Sequence, residues 1–197
     1  MKKVFLILGI IAGSLLLLCC GGGVALYFFA DTNTYAKPAD VCATVNEADG
    51  SGAWGIPTGT KTKDTNAFGR TYSSCVVTLP SDGTLTVAID VTSSKSDARE
   101  HYDAVKKIAD NATSAGATVA TIGGIGAAAF SMSTNQNNAL MYELDFYDDN
   151  LYISLNLTTP TGTTLTADKV RTDFTFIAKG LMKTLKASSS SGSDWDD

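Results

Sequence analysis

SCVVTLPSDGTLTVAIDV, residues 74–91, decides the fold. Cys75, Val77 and Leu79 alternate with less apolar neighbours, and Leu85, Val87, Ile89 and Val91 do the same after the turn letters Ser81-Asp82-Gly83. Alternation with period two is the mark of a strand with one buried face. If Gly83 supplies the left-handed position of a three-residue loop, Pro80 stands opposite Thr84. Leu79 then meets Leu85, Val77 meets Val87 and Cys75 meets Ile89. All the apolar residues share one face, so the register is tightly specified.

A second hairpin follows the same logic. Leu140, Tyr142, Leu144 and Phe146 alternate before Asp149-Asn150, and Ile153, Leu155 and Leu157 after it. A two-residue turn pairs Phe146 with Ile153, Leu144 with Leu155 and Tyr142 with Leu157. Between the hairpins, 117–122 and 127–133 read as short strands separated by Gly123-Gly124-Ile125-Gly126, and 133–138 as a loop. Thr58 to Arg70, rich in Thr, Gly and Lys, reads as loop or a weak edge strand.

Three helices complete the pattern. Pro38 opens PADVCATVNEA (38–48), with Val41, Cys42 and Val45 on one face and Gly50-Ser51-Gly52 as its stop. Ser94, with Asp97 three residues on, opens a helix to about Ala112 that carries Ala98, Tyr102, Val105, Ile108, Ala109 and Ala112 at helical spacing. Arg99, Asp103, Lys106 and Lys107 take its wet face. Thr166 caps a last helix with a Val170, Phe174, Ile177, Leu181, Leu185 stripe. Tight turns make the sheet antiparallel, and amphipathic helices need its apolar face. The fold class is α+β: an antiparallel sheet packed with two long helices and one short one, behind a single N-terminal transmembrane helix. Each hairpin followed by a helix looks like half of a loose duplication.

Val4 to Ala30 contains no charged residue. As a helix this run is about 40 Å long, enough to cross the ~30 Å hydrocarbon core with tilt. Lys2 and Lys3 precede it and Asp31 follows, so the positive-inside rule keeps the amino end in the cytoplasm. The run is too long for a cleaved signal, and Phe28 is bulky at −3 of a cut after Ala30. A lipoprotein reading wants small residues before Cys19 or Cys20, where Leu18 and Cys19 stand. The expected organisation is 1–3 cytoplasmic, 4–30 signal-anchor, 31–37 stalk, 38–187 extracytoplasmic domain and 188–197 disordered acidic tail. Gly21, Gly22 and Gly23 read as tolerated within the span, with a homodimer contact as the alternative. Cys19 and Cys20 read as apolar filler on the same terms.

Composition removes several classes of function. Fifteen Lys+Arg against twenty Asp+Glu give a net charge of −5 over 197 residues, the opposite of the basic stripe that a nucleic-acid binder needs. One His, read as a surface residue (His101), leaves no material for a His-dependent triad or a zinc site. No catalytic, cofactor or metal residues are expected. Gly124-Ile125-Gly126-Ala127-Ala128-Ala129 spells the dinucleotide fingerprint, but strand letters follow it where a helix is required, so it reads as a turn. Cys42 and Cys75 both take core-facing positions in an exported domain, where disulfides persist, and are expected to bond. Glu143 and Asp145 project from the outer face of the second hairpin with Tyr147, Tyr152 and Asn156. This acidic, aromatic surface is the candidate ligand surface, set against the plainer reading of a solvated sheet face.

Between Pro38 and about Leu185 the chain resembles actinobacterial exported proteins, mostly lipoproteins, that carry a domain of unknown function. It is also similar to the extracellular sensor domain of some mycobacterial serine/threonine kinases. The resemblance rests on Asp40-Val41-Cys42, Ser74-Cys75-Val76-Val77, the stretch from Ile122 through Gly126 to Phe130, and the closing amphipathic helix. It implies an α/β sandwich with a disulfide and a cleft, comparable to the photosystem oxygen-evolving P-protein fold, and no catalytic residues. The chain departs from it in having a spanning helix where those proteins have a lipidation signal, and no kinase domain.

The expected function is a single-pass, membrane-anchored, non-catalytic binding or sensor-like domain in the bacterial envelope. Its partner would be a small molecule or an envelope protein, with membrane contact through 4–30 and none with nucleic acid. The alternatives are an envelope hydrolase using the sheet carboxylates, which expects them clustered in a concave pocket, and a structural or assembly subunit, which expects a flat apolar patch.

Overall fold

The computed structural model describes residues 34–49, 62–67, 70–79, 83–136 and 138–190. The expected cytoplasmic end, the anchor at 4–30, Cys19 and Cys20, the start of the stalk and the last residues of the tail lie outside them. Among the described residues no helix is long and apolar enough to cross a membrane.

Seven strands form one sheet: β1 (Thr62–Ala67), β2 (Arg70–Thr78), β3 (Thr84–Val91), β4 (Thr118–Ile122), β5 (Ala128–Gln136), β6 (Ala139–Asp148) and β7 (Leu151–Thr158). Their spatial order is β1-β2-β3-β7-β6-β5-β4, and every neighbouring pair is antiparallel. Among the described residues three α-helices accompany them: α1 (Val41–Ala48), α2 (Lys95–Ala112) and α3 (Ala167–Ser190). The antiparallel α+β class therefore stands, and the stretch read as loop or weak edge strand contains the edge strand β1.

The second hairpin has the expected register: Phe146 faces Ile153, Leu144 faces Leu155 and Tyr142 faces Leu157. The first is slipped by two residues. Val77 faces Leu85, Cys75 faces Val87 and Ser73 faces Ile89, and the Leu79 amide donates to the Gly83 carbonyl at 2.8 Å. Pro80 has no N–H to give the ladder, and the ladder ends at Thr78 facing Thr84, with the Leu79–Gly83 hydrogen bond just beyond it. A slip of two preserves the face of every side chain, which is why the core survives it.

One face of the sheet carries the main core. Cys75, Val77, Leu85, Val87, Ile89, Leu144, Phe146, Ile153, Leu155 and Leu157 are buried there with Val41, Cys42 and Val45 of α1 and the whole expected stripe of α3. Cys42 and Cys75 form a disulfide that fastens α1 to β2. The first helix starts later than Pro38 suggests, because the Asp40 carboxylate caps it by accepting the Ala43 amide. At the other end of the domain, β5 reaches Gln136, into the stretch read as a loop, and α3 reaches Ser190, into the stretch read as tail.

The second face is not the solvated surface the sequence reading expected. Phe130 of β5 and Tyr152 of β7 are buried on it beneath Tyr102 and Ala109 of α2, with Val105, Val119, Ala128, Met132 and Tyr147 packed around them. The helices that follow the two hairpins thus lie on opposite faces, so the halves are not structural duplicates. Ser94 caps α2 as expected, accepting the Asp97 amide at 3.2 Å. Its inward stripe is rotated, however: Ile108 is 53% exposed, and His101 is buried. The expected surface histidine is therefore a core histidine, since at i+3 from Ala98 and i−4 from Val105 it lies on the packed side.

Tyr35, within the expected stalk, is also buried. Its amide donates to Asn150 Oδ1 at 3.0 Å, and Asn150 Nδ2 donates to the carbonyls of Tyr35 at 3.1 Å and Thr92 at 3.3 Å. Thr34 and the Tyr35 hydroxyl donate to Asp149 and Asp148 beside it. Asn150 thereby ties the segment before α1, the end of β3 and the β6–β7 turn together.

Candidate functional site

Alternation along β2, β3, β6 and β7 sends Tyr72, Ser74, Val76, Thr86, Ala88, Asp90, Glu143, Asp145, Tyr152, Ser154 and Asn156 to the face that α2 crosses. The helix covers the sheet from β5 to β7 but leaves a gap toward β2 and β3. That gap is a cleft of about 420 Å³, walled by Val76, Ala88 and Val105 and by the ring of Tyr72, with Asp90, His101, Glu143, Tyr152 and Asn156 among its lining. A second hollow, about 250 Å³, lies at the carboxyl end of α2 and shares Glu143 and Asn156 with the first.

The five residues of the candidate ligand surface separate in the structure. Glu143, Tyr152 and Asn156 line the cleft. Asp145 lies beneath it, wholly buried, its Oδ1 accepting the Tyr152 hydroxyl at 2.5 Å. Tyr147 sits under the helix, with its ring 5.1 Å from that of Tyr102. The carboxylates are therefore not on a wet sheet face. Burial pushes the Glu143 carboxyl up, and burial and then the charge of Glu143 push Asp145 well above the usual carboxylate range. The two carboxyls stand two residues apart on the same face of β6, and Asp145 Oδ2 is buried without a hydrogen-bond partner among the described residues. Ser154 gives Glu143 a long hydrogen bond of 3.4 Å. Tyr152 is held well above its ordinary range by burial and by the neighbouring Asp145, so it remains a donor.

Asp90 and His101 were missed as site residues. His101 Nδ1 is 3.1 Å from Asp90 Oδ2, and its imidazole stacks on Tyr152 with centroids 3.9 Å apart. The phenol of Tyr72 closes the rim 6.4 Å from the imidazole. A signal for both was present: Asp90 shares its strand parity with Thr86 and Ala88, and His101 fits the helical repeat of Ala98 and Val105. The chain matches no family model, no curated protein and no solved structure.

The fingerprint-like glycine run is a turn. Gly126 has φ +52°, and a Cβ there would lie 2.4 Å from the Tyr147 carbonyl oxygen, so glycine is required by close approach to β6. Strand β5 follows it directly. Among the described residues no group of three or more His, Cys, Asp or Glu is placed to hold a metal ion.

Proposed function

We propose that this chain is a non-catalytic, membrane-anchored binding domain of the bacterial envelope, held by residues 4–30, and that its ligand seats in the cleft beneath α2. The cleft carries the reading: a concave site with apolar walls and a few convergent polar groups is the usual form of a small-molecule site. The Cys42–Cys75 bond supports an oxidising location. The resemblance to exported and sensor-type domains is compatible with this and adds no residue roles.

The hydrolase alternative draws on one observation, the placing of Glu143 and Asp145 two residues apart on one strand face at a concave site. Glycoside hydrolysis needs its two carboxyls separated by about 5 Å or more, with both reaching the substrate. A wholly buried Asp145 does not reach one, which favours the binding reading.

The test is capture of envelope components by the full chain in detergent, with bound small molecules and proteins identified by mass spectrometry. Ala88→Trp or the half-exposed Val76→Trp would fill the cleft. We expect a specific ligand retained by the parent chain and lost by both variants. Equal retention by folded variants would sink the cleft assignment, and turnover abolished by Glu143→Gln would favour the hydrolase.

A further inference from the structure

The cleft is chemically one-sided. Among the described side chains no Lys or Arg lines it, whereas Asp90 and Glu143 do, with Asp145 directly beneath. Among the described side chains, the groups facing this region are Tyr72 from β2, Asp90 from β3, His101 and Tyr102 from α2, Glu143, Asp145 and Tyr147 from β6, and Tyr152 from β7. Strand β5 presents Ala128, Phe130, Met132 and Thr134, none of them charged. Among the described side chains near this face, His101 is engaged with Asp90, and Lys106 with Asp110 and over the Phe130 ring.

Two neighbouring carboxyls in a buried setting can hold one charge at tolerable cost, because one of them keeps its proton. The charge that remains has weak support here. Tyr152 serves one oxygen of Asp145, Ser154 reaches Glu143 only at 3.4 Å, and Asp145 Oδ2 has no hydrogen-bond partner among the described residues. A ligand bringing N–H donors and a positive charge to Glu143 would supply what the protein leaves out. A divalent metal ion fits poorly, since it wants six or more oxygens and the walls offer Val76, Ala88 and Val105. Those walls, and the Tyr72 ring at the rim, suit a carbon skeleton, and an aromatic face adds attraction for a cation.

We propose that the cleft beneath α2 is a site for an organic monocation, a protonated primary amine with an apolar body, whose ammonium group seats on Glu143. This rests on the cleft being the ligand site and adds the class of ligand. The one negative charge shared by Glu143 and Asp145 is neutralised on binding, and no bond other than hydrogen bonds forms.

The experiment is calorimetric titration of the full chain in nonionic detergent at neutral pH with phenethylamine, phenethyl alcohol and phenylacetate, three probes of similar body and different charge. Probe concentrations up to roughly 10 mM match what a fragment of this size can achieve. The amine should bind at least about tenfold more tightly than the alcohol or the acid. Glu143→Gln should remove that preference, because a fully buried Asp145 then stays protonated. Asp145→Asn should keep it, because Glu143 loses its like-charged neighbour and still lines the cleft. Near-ultraviolet circular dichroism checks that both variants are folded. Cleft-dependent binding without charge preference would overturn the amine class and leave the cleft as a binding site. No binding of the amine, or a preference untouched by Glu143→Gln, would overturn the proposal, while ligand capture with the cleft-filling variants judges the site separately.

Discussion

At the scale of single residues, Asp145 is costly to ionise, and this makes stability depend on pH in a definite direction. Its folded-state proton affinity is raised by burial and by Glu143, so between the ordinary carboxyl range and the raised value the folded chain binds more protons than the unfolded one. Stability from this group is then fully present at acid pH and is lost as pH rises. Asp145→Asn removes the dependence. The variant should melt at nearly the parent temperature near pH 4, and at least about 4 °C above it near pH 8. A difference that does not change with pH would contradict the account. The acidic pair itself was legible, because strand alternation places Glu143 and Asp145 on one face. What covers that face was not: His101 was read by its polarity, yet it sits on the packed side of α2 with the Asp90 carboxylate of the preceding strand as its partner.

At the scale of elements, α1 and α3 approach each other closely. A Cβ added at Gly180 would fall 2.7 Å from the Ala48 carbonyl oxygen. In an open helix Gly→Ala is stabilising by about 1 kcal/mol. Here the neighbour is backbone at the end of a disulfide-fastened helix and has little room to retreat. Gly180→Ala should therefore destabilise the domain by roughly 1–3 kcal/mol, seen as a lower midpoint in urea with an unchanged slope. An increase in stability would show that the two helices separate freely. The hairpins and both long helices could be read from periodicity and caps, since those signals are local. The turn of the second hairpin fixes its own register, whereas the first depended on where Pro80 ends the ladder. The side of the sheet that α2 covers is set by long-range packing on Phe130 and Tyr152, and local pattern does not carry it.

At the scale of the whole molecule, the Cys42–Cys75 bond closes a loop spanning 33 positions. In the chain-entropy view this contributes roughly 3–4 kcal/mol. Replacing both cysteines by alanine should lower the melting temperature by on the order of 10 °C. The cleft lies on the opposite face of the sheet, so ligand affinity below the transition should be unaffected in the double variant. Loss of binding in a folded variant would show that α1 helps shape the cleft from behind.

Asn150 also has a mechanical meaning. Tension arriving along the chain at Thr34 meets a fastening on the β6–β7 turn before it can reach α1, and the Lys186 ammonium over the Tyr35 ring adds α3 to the same anchorage. The load divides among several hydrogen bonds and passes into the central strands β3 and β7. A domain moored in this way would be pulled by its middle, through the same two strands that line the cleft.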